Sequence, residues 1–223
     1  RPKASPAGGD AVALMRAAGL ASRHAADVVR SLTDEVGPRL AGTPGDAAAV
    51  AWALRTLKAH GFANVHAEPV KVPNWQRGEE SAAVVAPVRH TLAVTALGGS
   101  VGTRGPLEAA VVEFGSLVAL QSAAPGSLAG KIAFVNVPTP REKDGSGYGK
   151  AGRVRWESGK AAKKAGAAAV LIRSIGTDND RLPHTGSAGR EEDTGGVPLA
   201  ALSNPDADLL HRLVERHGAP RLR

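Results

Sequence analysis

Apolar residues in the first sixty positions recur with the spacing of an amphipathic helix. This spacing predicts two helical pieces from position 10, with a break near Gly19. The apolar residues that show it are at positions 12, 15 and 20 and then at 28, 29 and 32. A third helix is predicted after Thr43, because threonine is a common residue at a helix start. One apolar stripe is formed by the residues at positions 50, 54 and 57, and Gly61 marks the end of the helix. Residues 65–72 then alternate in the manner of a strand.

From about position 81 the pattern changes to short apolar runs separated by turn residues. Several runs are rich in Val and Ile, which favours strands. Two helices are predicted among them, at 158–165 and at 206–216, where Pro205 suits the first helical position. The fold class is therefore mixed α/β. The predicted strands are 82–85, 92–97, 107–114, 132–137, 167–172 and 197–202, and the predicted loops are 98–106, 138–152 and 174–196.

Composition and charge disfavour several classes of protein. With 43% hydrophobic residues over 223 positions the chain can form a packed core, while 3% aromatic residues disfavours base stacking on nucleic acid. The net charge of +7 comes from Lys and Arg mixed with acids, so no nucleic-acid partner is expected. No apolar run in the sequence reaches the length of a membrane span, so no membrane partner is expected either. The lack of cysteine excludes thiolate zinc sites and cysteine nucleophiles in this sequence.

Candidate catalytic motifs lack the context that their chemistry needs. None of the seven histidines belongs to an H-E-x-x-H pair. Gly98, Ser100 and Gly102 match the spacing of a serine nucleophile elbow, but no helical pattern follows them, so a turn is the better interpretation. The glycines at 145, 147 and 149 follow no dinucleotide-binding strand, and no P-loop motif occurs. We therefore predict no catalytic residue and no metal-binding residue in this chain.

Three stretches of the sequence resemble one family of peptidases. They are residues 36–43 (VGPRLAGT), residues 72–81 (VPNWQRGEES) and residues 183–186 (PHTG). Each is similar to a segment of the carboxypeptidase Q-like (plasma glutamate carboxypeptidase-like) enzymes, which are secreted exopeptidases with two zinc ions. The likeness runs from about position 27 to position 213, and its blocks follow the order of the family.

The resemblance implies amino-terminal helices that pack on a catalytic domain, followed by a β-rich α/β domain of the protease-associated type. Residues 1–9 would then be a disordered leader, 10–80 the helical segment, 81–216 the protease-associated-like domain and 217–223 the start of a linker. The zinc ligands of the family have no counterpart here, so the catalytic zinc domain is expected to be absent from this chain. We expect no cofactor in this chain and no activity from it alone, and two zinc ions in the full-length enzyme.

The 183–186 loop is the candidate site. The resemblance places this loop in the domain that overhangs the zinc cleft, so His184 and Thr185 are predicted to help close the cleft around a short peptide. His184 is polar and lies on a long loop with Asp178 and other charged residues. A turn in which His184 bonds the local backbone is the alternative interpretation.

The function that the resemblance implies is the non-catalytic front half of a secreted or periplasmic zinc exopeptidase. This would be an amino- or carboxypeptidase of dipeptides or short peptides, with the protease-associated domain capping the cleft. Its partners would be the missing catalytic domain of the same protein and a short peptide, with a homodimer left open. A stand-alone protease-associated module that binds protein or peptide without catalysis is the alternative. Only the first function leaves the apolar stripes of the helices between 10 and 60 partly bare.

Overall fold

The helices at the start of the chain form as the pattern predicts. The structure, a computed structural model, describes residues 8–223, and the chain divides into two compact units between Asn74 and Trp75. The break between the first two helices falls at Ser22 and Arg23, three residues after Gly19. Of the predicted leader, residues 1–7 lie outside the described residues, whereas Gly8 begins a helix. The helices of the first unit are α1 (Gly8–Ala21), α2 (His24–Glu35) and α3 (Pro44–Ala59).

The third helix shows the clearest local reason for its position. Thr43 accepts a hydrogen bond from the backbone N–H of Asp46 at 3.4 Å, and Pro44 occupies the first turn, where its missing N–H costs nothing. Trp52 is the one hydrophobic residue buried among positions 10–74, and its Nε1 donates to Ser31 Oγ at 2.9 Å. This bond joins α3 to α2.

The predicted strand at 65–72 is wrong. Residues 65–81 form neither helix nor strand, and the side chains of Val70 and Val72 are exposed. Alternation produces a strand only where a neighbouring strand satisfies the backbone hydrogen bonds, and none pairs with this segment within residues 8–223.

The second unit is built on one mixed sheet of eight strands in the order β2-β1-β8-β4-β5-β6-β7-β3. The four central strands β4 to β7 run parallel, and the remaining strands pair antiparallel at the two sides. No helix in residues 8–223 is both long and apolar enough to cross a membrane. The elements are β1 (Ala82–Ala86), β2 (His90–Leu92), β3 (Val94–Ala96), β4 (Ala109–Phe114), α4 (Leu117–Gln121), β5 (Ile132–Val135), α5 (Ser146–Ala165), β6 (Ala169–Arg173), α6 (Glu191–Thr194), β7 (Leu199–Leu202), α7 (Asn204–His217) and β8 (Arg221–Leu222).

Both faces of the central strands are covered, which explains why these strands read as continuous apolar runs. Ala133 and Val135 of β5 belong to a core shared with α4 and α5. Ile132 and Phe134, which point to the opposite face, belong to a second core shared with α7. The sheet therefore lies between two helical layers, and the predicted α/β class is confirmed.

Two predicted elements of this unit differ from the structure. The run 92–97 is divided at Ala93, because its backbone N–H donates to Asp206 Oδ2 at 2.6 Å and the chain passes there from one side of the sheet to the other. The helix predicted at 158–165 begins already at Ser146. Three glycines obscure its first half in the sequence, and one of them is required by packing. A Cβ on Gly147 would lie 2.1 Å from the carbonyl oxygen of Pro140.

The two ends of the second unit also lie elsewhere than predicted. Residues 217–223, expected to begin a linker, instead supply β8, which pairs with both β1 and β4. Residues 75–80, expected in the helical segment, belong to the second unit. Trp75 Nε1 donates to the carbonyl of Ser100 at 2.8 Å, and Arg77 donates to the carbonyl of Ala96 at 3.0 and 3.1 Å. These side chains join the segment to the end of β3 and to the chain that follows it.

Candidate functional site at the 183–186 loop

The loop of residues 183–186 is held by hydrogen bonds to residues that follow two strands, β3 and β6. The N–H of Gly98 donates to the carbonyl of Gly186 at 2.8 Å, and the N–H of Ala188 donates to the carbonyl of Gly98 at 2.8 Å. The N–H of His184 donates to Oγ of Ser174, directly after β6, at 2.8 Å. The loop therefore has a fixed position beyond the carboxyl end of β6.

His184 uses both of its ring nitrogens inside the protein. Nδ1 lies 2.9 Å from the carbonyl oxygen of Ile175, and Nε2 lies 2.9 Å from Oδ2 of Asp178. Both neighbours are oxygen acceptors, so each ring nitrogen of His184 faces an acceptor of this chain. The ring packs against Gly176, where an added Cβ would be 2.5 Å from Cε1 of His184. The structure thus contains the local bonding of His184 that the sequence left as an alternative.

Thr185 is exposed, and its hydroxyl is already bound. It accepts a hydrogen bond from Nη2 of Arg77 at 2.5 Å. The guanidinium of Arg77 lies 5.2 Å from the ring of Trp75 and 3.6 Å from Glu80 Oε2. The predicted site residues therefore lie side by side, one held by Asp178 and the other by Arg77.

The described residues hold no catalytic constellation. No group of three or more His, Cys, Asp or Glu side chains among them is arranged to hold a metal ion. Oγ of Ser100 accepts a hydrogen bond from the N–H of Leu199 at 2.8 Å and donates one to the carbonyl of Val101 at 3.0 Å. These bonds stabilise the turn, which agrees with the interpretation of this serine as a turn residue and not as a nucleophile. What the loop offers is a surface held by several hydrogen bonds, which suits binding or capping.

Sequence reasoning missed a polar cluster at the carboxyl ends of the parallel strands. Asn136 donates to Glu113 Oε1 at 2.6 Å and accepts from Arg173 Nε at 2.7 Å. Arg173 also binds Asp208, and Glu113 binds Nδ1 of His211 at 2.9 Å. The signal in the sequence was a polar residue at the end of each of three buried strands. The cluster joins β4, β5 and β6 to α7.

One member of this cluster makes stability depend on pH. The hydrogen bond that His211 donates to Glu113 raises the pKa of His211, and the charges of Glu113 and Glu215 add to this, while burial and Arg173 oppose it. A raised folded-state pKa gives stability that is fully present below the unfolded value of about 6.5 and is lost as pH rises through the folded value.

We expect wild-type stability to fall by up to about 1 kcal/mol more than that of His211→Gln between pH 6 and pH 8, since the side chain is partly solvated. Urea unfolding at a series of pH values measures this. His217→Gln, which changes an exposed histidine of the same helix, is the matched control and should follow the wild type. Parallel curves for wild type and His211→Gln would contradict the assignment.

Comparison with known proteins shows what this arrangement is similar to. Residues 82–210 match the model of the PA domain family. Carboxypeptidase Q of Bos taurus is 36% identical over 199 residues, which is 89% of this chain and 41% of that protein. Carboxypeptidase Q of Rattus norvegicus is 38% identical over 186 residues, which is 83% of this chain and 38% of that protein.

Solved structures give the same result. A peptidase M28 precursor from Shewanella amazonensis superposes with a TM-score of 0.89 at 44% identity, over 96% of this chain and 48% of that one. An aminopeptidase from an Aneurinibacillus strain has a TM-score of 0.54 at 19% identity, a likeness of fold alone. This chain spans about two fifths of the curated relatives it matches. The resemblance to carboxypeptidase Q-like enzymes, and with it the protease-associated fold, is confirmed.

Proposed function

The chain belongs to the PA domain family, and from that membership we propose that it is the non-catalytic front half of a zinc-dependent exopeptidase. The observation that carries the proposal is the extent of the likeness to carboxypeptidase Q, which covers 89% of this chain. It includes the helical unit as well as the PA domain. The substrates we propose are dipeptides or short peptides, and the enzyme would be secreted or periplasmic.

In this proposal the PA domain caps the active-site cleft. The 183–186 loop would overhang the cleft, and His184 and Thr185 would help to close it around the peptide. Support comes from the hydrogen bonds of the loop to Ser174, Gly98 and Arg77, because a surface that is already bonded in place loses less entropy on binding a substrate. A cap of this kind excludes water and orients the peptide, and the bond-breaking groups belong elsewhere.

The zinc ions would not be bound by the residues described here. Hydrolytic zinc needs about three converging His, Asp or Glu ligands, and residues 8–223 contain no such group. The chemistry that zinc would supply in the proposed enzyme is activation of the attacking water, and its ligands would come from another part of the polypeptide. No catalytic step is therefore assigned to this chain.

A stand-alone module that binds protein or peptide without catalysis is the alternative function. That function predicts helices that cover their own apolar stripes. Instead Leu14, Met15 and Leu20 of α1 are 67–79% exposed, and Val29 of α2 is 60% exposed. Such a surface is typical of one that another domain covers, which favours the catalytic domain of the same protein as the partner.

The proposal is tested by expressing the complete polypeptide encoded with this chain and measuring hydrolysis of unblocked dipeptides. We expect hydrolysis that a chelator abolishes and zinc restores. The 223-residue chain alone serves as the control and should be inactive. A complete polypeptide that binds no zinc and leaves every dipeptide intact would contradict the proposal.

In that complete enzyme, His184→Ala should lower kcat/KM by about tenfold, mainly through KM, because the cap would no longer be held in position. His217→Ala, an exposed histidine of α7, is the matched control and should leave the kinetics unchanged. Thermal unfolding of both variants shows whether a loss reflects the cap or the fold. Full activity of a folded His184→Ala enzyme would remove this residue from the site.

A further inference from the structure

One face of the sheet in the second unit is only partly covered. β2 and β3 lie at opposite ends of the strand order, yet Ala93 alone separates them in sequence, so the sheet curls on itself. Leu92 of β2 and Val94 of β3 pack in the same core as Leu210 of α7, which places this core on the inside of the curl. A groove of about 1080 Å³ remains open on this face, and none of the described residues of α7 lines it. We call it the sheet groove.

The lining of the sheet groove is mostly apolar. The groove lies at the amino ends of the parallel strands, where Ile132, Ala169 and Leu199 are the first residues of β5, β6 and β7. A hydrocarbon chain that enters such a groove is removed from water, and each buried CH₂ group raises affinity about fourfold. The larger apolar side chains that line the groove include Val85, Val94, Leu107, Ile132, Leu171 and Leu222.

A smaller pocket of about 300 Å³ adjoins the sheet groove, and the two share residues 101–103, Leu107 and Pro198. We call it the basic pocket, because Arg104 and Lys163 line it and no acidic residue does. Neither cation forms an ion pair with a group that the structure describes. An anion in this pocket would therefore meet positive charge that no carboxylate of the described residues neutralises.

The backbone beside the basic pocket adds further donors. The N–H groups of residues 102–104 donate to no acceptor within residues 8–223. Arg104 has a φ of 57° and Gly105 a φ of 125°, and successive N–H groups in turns that pass through the left-handed region form concave anion sites. Phosphate oxygens accept both backbone N–H bonds and the charged bonds of Lys and Arg, so a phosphate group suits this set of donors.

The edge strand beside the sheet groove is not free to pair with a peptide. The N–H of Ala96 in β3 donates to Glu80 Oε2 at 2.5 Å, and its carbonyl accepts from Arg77 at 3.0 and 3.1 Å. A peptide that adds to a sheet gains its affinity from such main-chain bonds. Of the two acidic residues that line the groove, Glu80 is thus engaged, and Glu79 is exposed. The groove therefore favours a ligand with a hydrocarbon chain over a peptide strand.

We propose that the sheet groove and the basic pocket together bind a single-chain lipid with a phosphate head group. The hydrocarbon chain lies in the sheet groove, and Arg104 and Lys163 bind the phosphate. The ligand is a lipid monomer and not a membrane, because the groove is concave and a bilayer surface is flat. This binding goes beyond the proposed function, since it involves neither a peptide nor a group that breaks a bond.

The test measures ligand binding to the 223-residue chain by isothermal titration calorimetry, below the concentrations at which the lipids form micelles. The probes are decyl phosphate, octyl phosphate, decanol and inorganic phosphate. Decyl phosphate should bind about tenfold more tightly than octyl phosphate, because two more CH₂ groups leave water. Decanol lacks the charge and inorganic phosphate lacks the chain, so each should bind at least about tenfold more weakly than decyl phosphate.

Substitutions test the two parts of the site separately. Arg104→Gln and Lys163→Gln should each weaken decyl phosphate at least about fivefold and leave the ratio between decyl and octyl phosphate unchanged. Lys164→Gln changes a neighbouring exposed lysine that lines neither cavity, and it should bind as the wild type does. Val94→Thr keeps the shape of the side chain but puts a hydroxyl in the groove, so it should weaken decyl phosphate at least about threefold.

Each other outcome overturns the proposal. Equal affinity for decanol and decyl phosphate would show that the basic pocket does not bind the head group, and equal affinity for octyl and decyl phosphate would remove the chain from the groove. Sedimentation with phosphatidylglycerol vesicles without binding of decyl phosphate would indicate a membrane-binding surface instead. Binding by the 223-residue chain that the complete polypeptide lacks would show that another part of the enzyme covers the groove. Peptide hydrolysis is measured separately, so none of these results depends on the proposed function.

Discussion

Replacing Arg173 by alanine is expected to lower the free energy of unfolding by about 3–5 kcal/mol. Arg173 is buried at the end of β6, where it binds Asn136, Asp208 and the carbonyl of Asn204. Removing it leaves the half-exposed Asp208 without its cation and Oδ1 of the buried Asn136 without a donor. The melting temperature should fall by roughly 6–20 °C for a chain of this size. Urea and thermal unfolding measure both values.

Arg212→Ala is the matched control, because Arg212 lies on the exposed face of α7, one turn beyond Asp208. It should change stability by less than about 0.5 kcal/mol. Arg173→Lys should fall between the two, since lysine keeps the charge but cannot bind Asn136 and Asp208 with one planar group. Equal stability of the two alanine variants would show that the cluster does not hold the sheet edge to α7.

Replacing Phe134 by alanine is expected to cost about 3–5 kcal/mol, because the lost ring leaves a cavity in a close-packed core. Phe134 is fully buried in the centre of β5 and belongs to the core that the sheet shares with Leu210 and Leu213 of α7. The neighbouring strands on both sides fix the backbone, so the site has little freedom to collapse. The midpoint of urea unfolding measures the change.

Phe62→Ala makes the same chemical change at a side chain that is 63% exposed, and it should be close to neutral. If both phenylalanine variants lost the same stability, the core would not lie where the structure places it. A loss confined to Phe134→Ala would confirm the two-sided sheet that positions the candidate loop.

Elements governed by local chemistry could be predicted from the sequence. The helix after Ser203 is one example, since Ser203 accepts from the N–H of Asp206 and Pro205 occupies the first turn. The strand at β5 is another, because a strand covered on both faces is apolar throughout. In both cases the information lies within a few residues of the element itself.

Elements that depend on distant partners could not be predicted in this way. The two residues of β8 form a strand only because β1 and β4 lie on either side of them. The early start of α5 depends on the contact between Gly147 and Pro140 across a loop. The division at Ala93 depends on Asp206, which lies 113 positions away.

The candidate site could likewise be predicted only in part from the sequence. The resemblance pointed to His184 and Thr185, and the structure places both on one loop. It did not point to Arg155, whose solvated appearance in a basic stretch of sequence gives no sign that its guanidinium is buried against Gly186. Burial of a charged side chain is a property of three-dimensional surroundings, and a sequence read by spacing alone does not contain it.

The central claim, that this chain is one part of a larger zinc exopeptidase, is tested most directly by the intact mass and metal content of the protein from its native source. The account predicts a polypeptide well above 22.7 kDa that contains the sequence of this chain, continues into a segment with an H-x-D motif and carries two zinc ions. A mature, metal-free product of about 22.7 kDa would contradict the account and leave a PA module that binds its partner without catalysis.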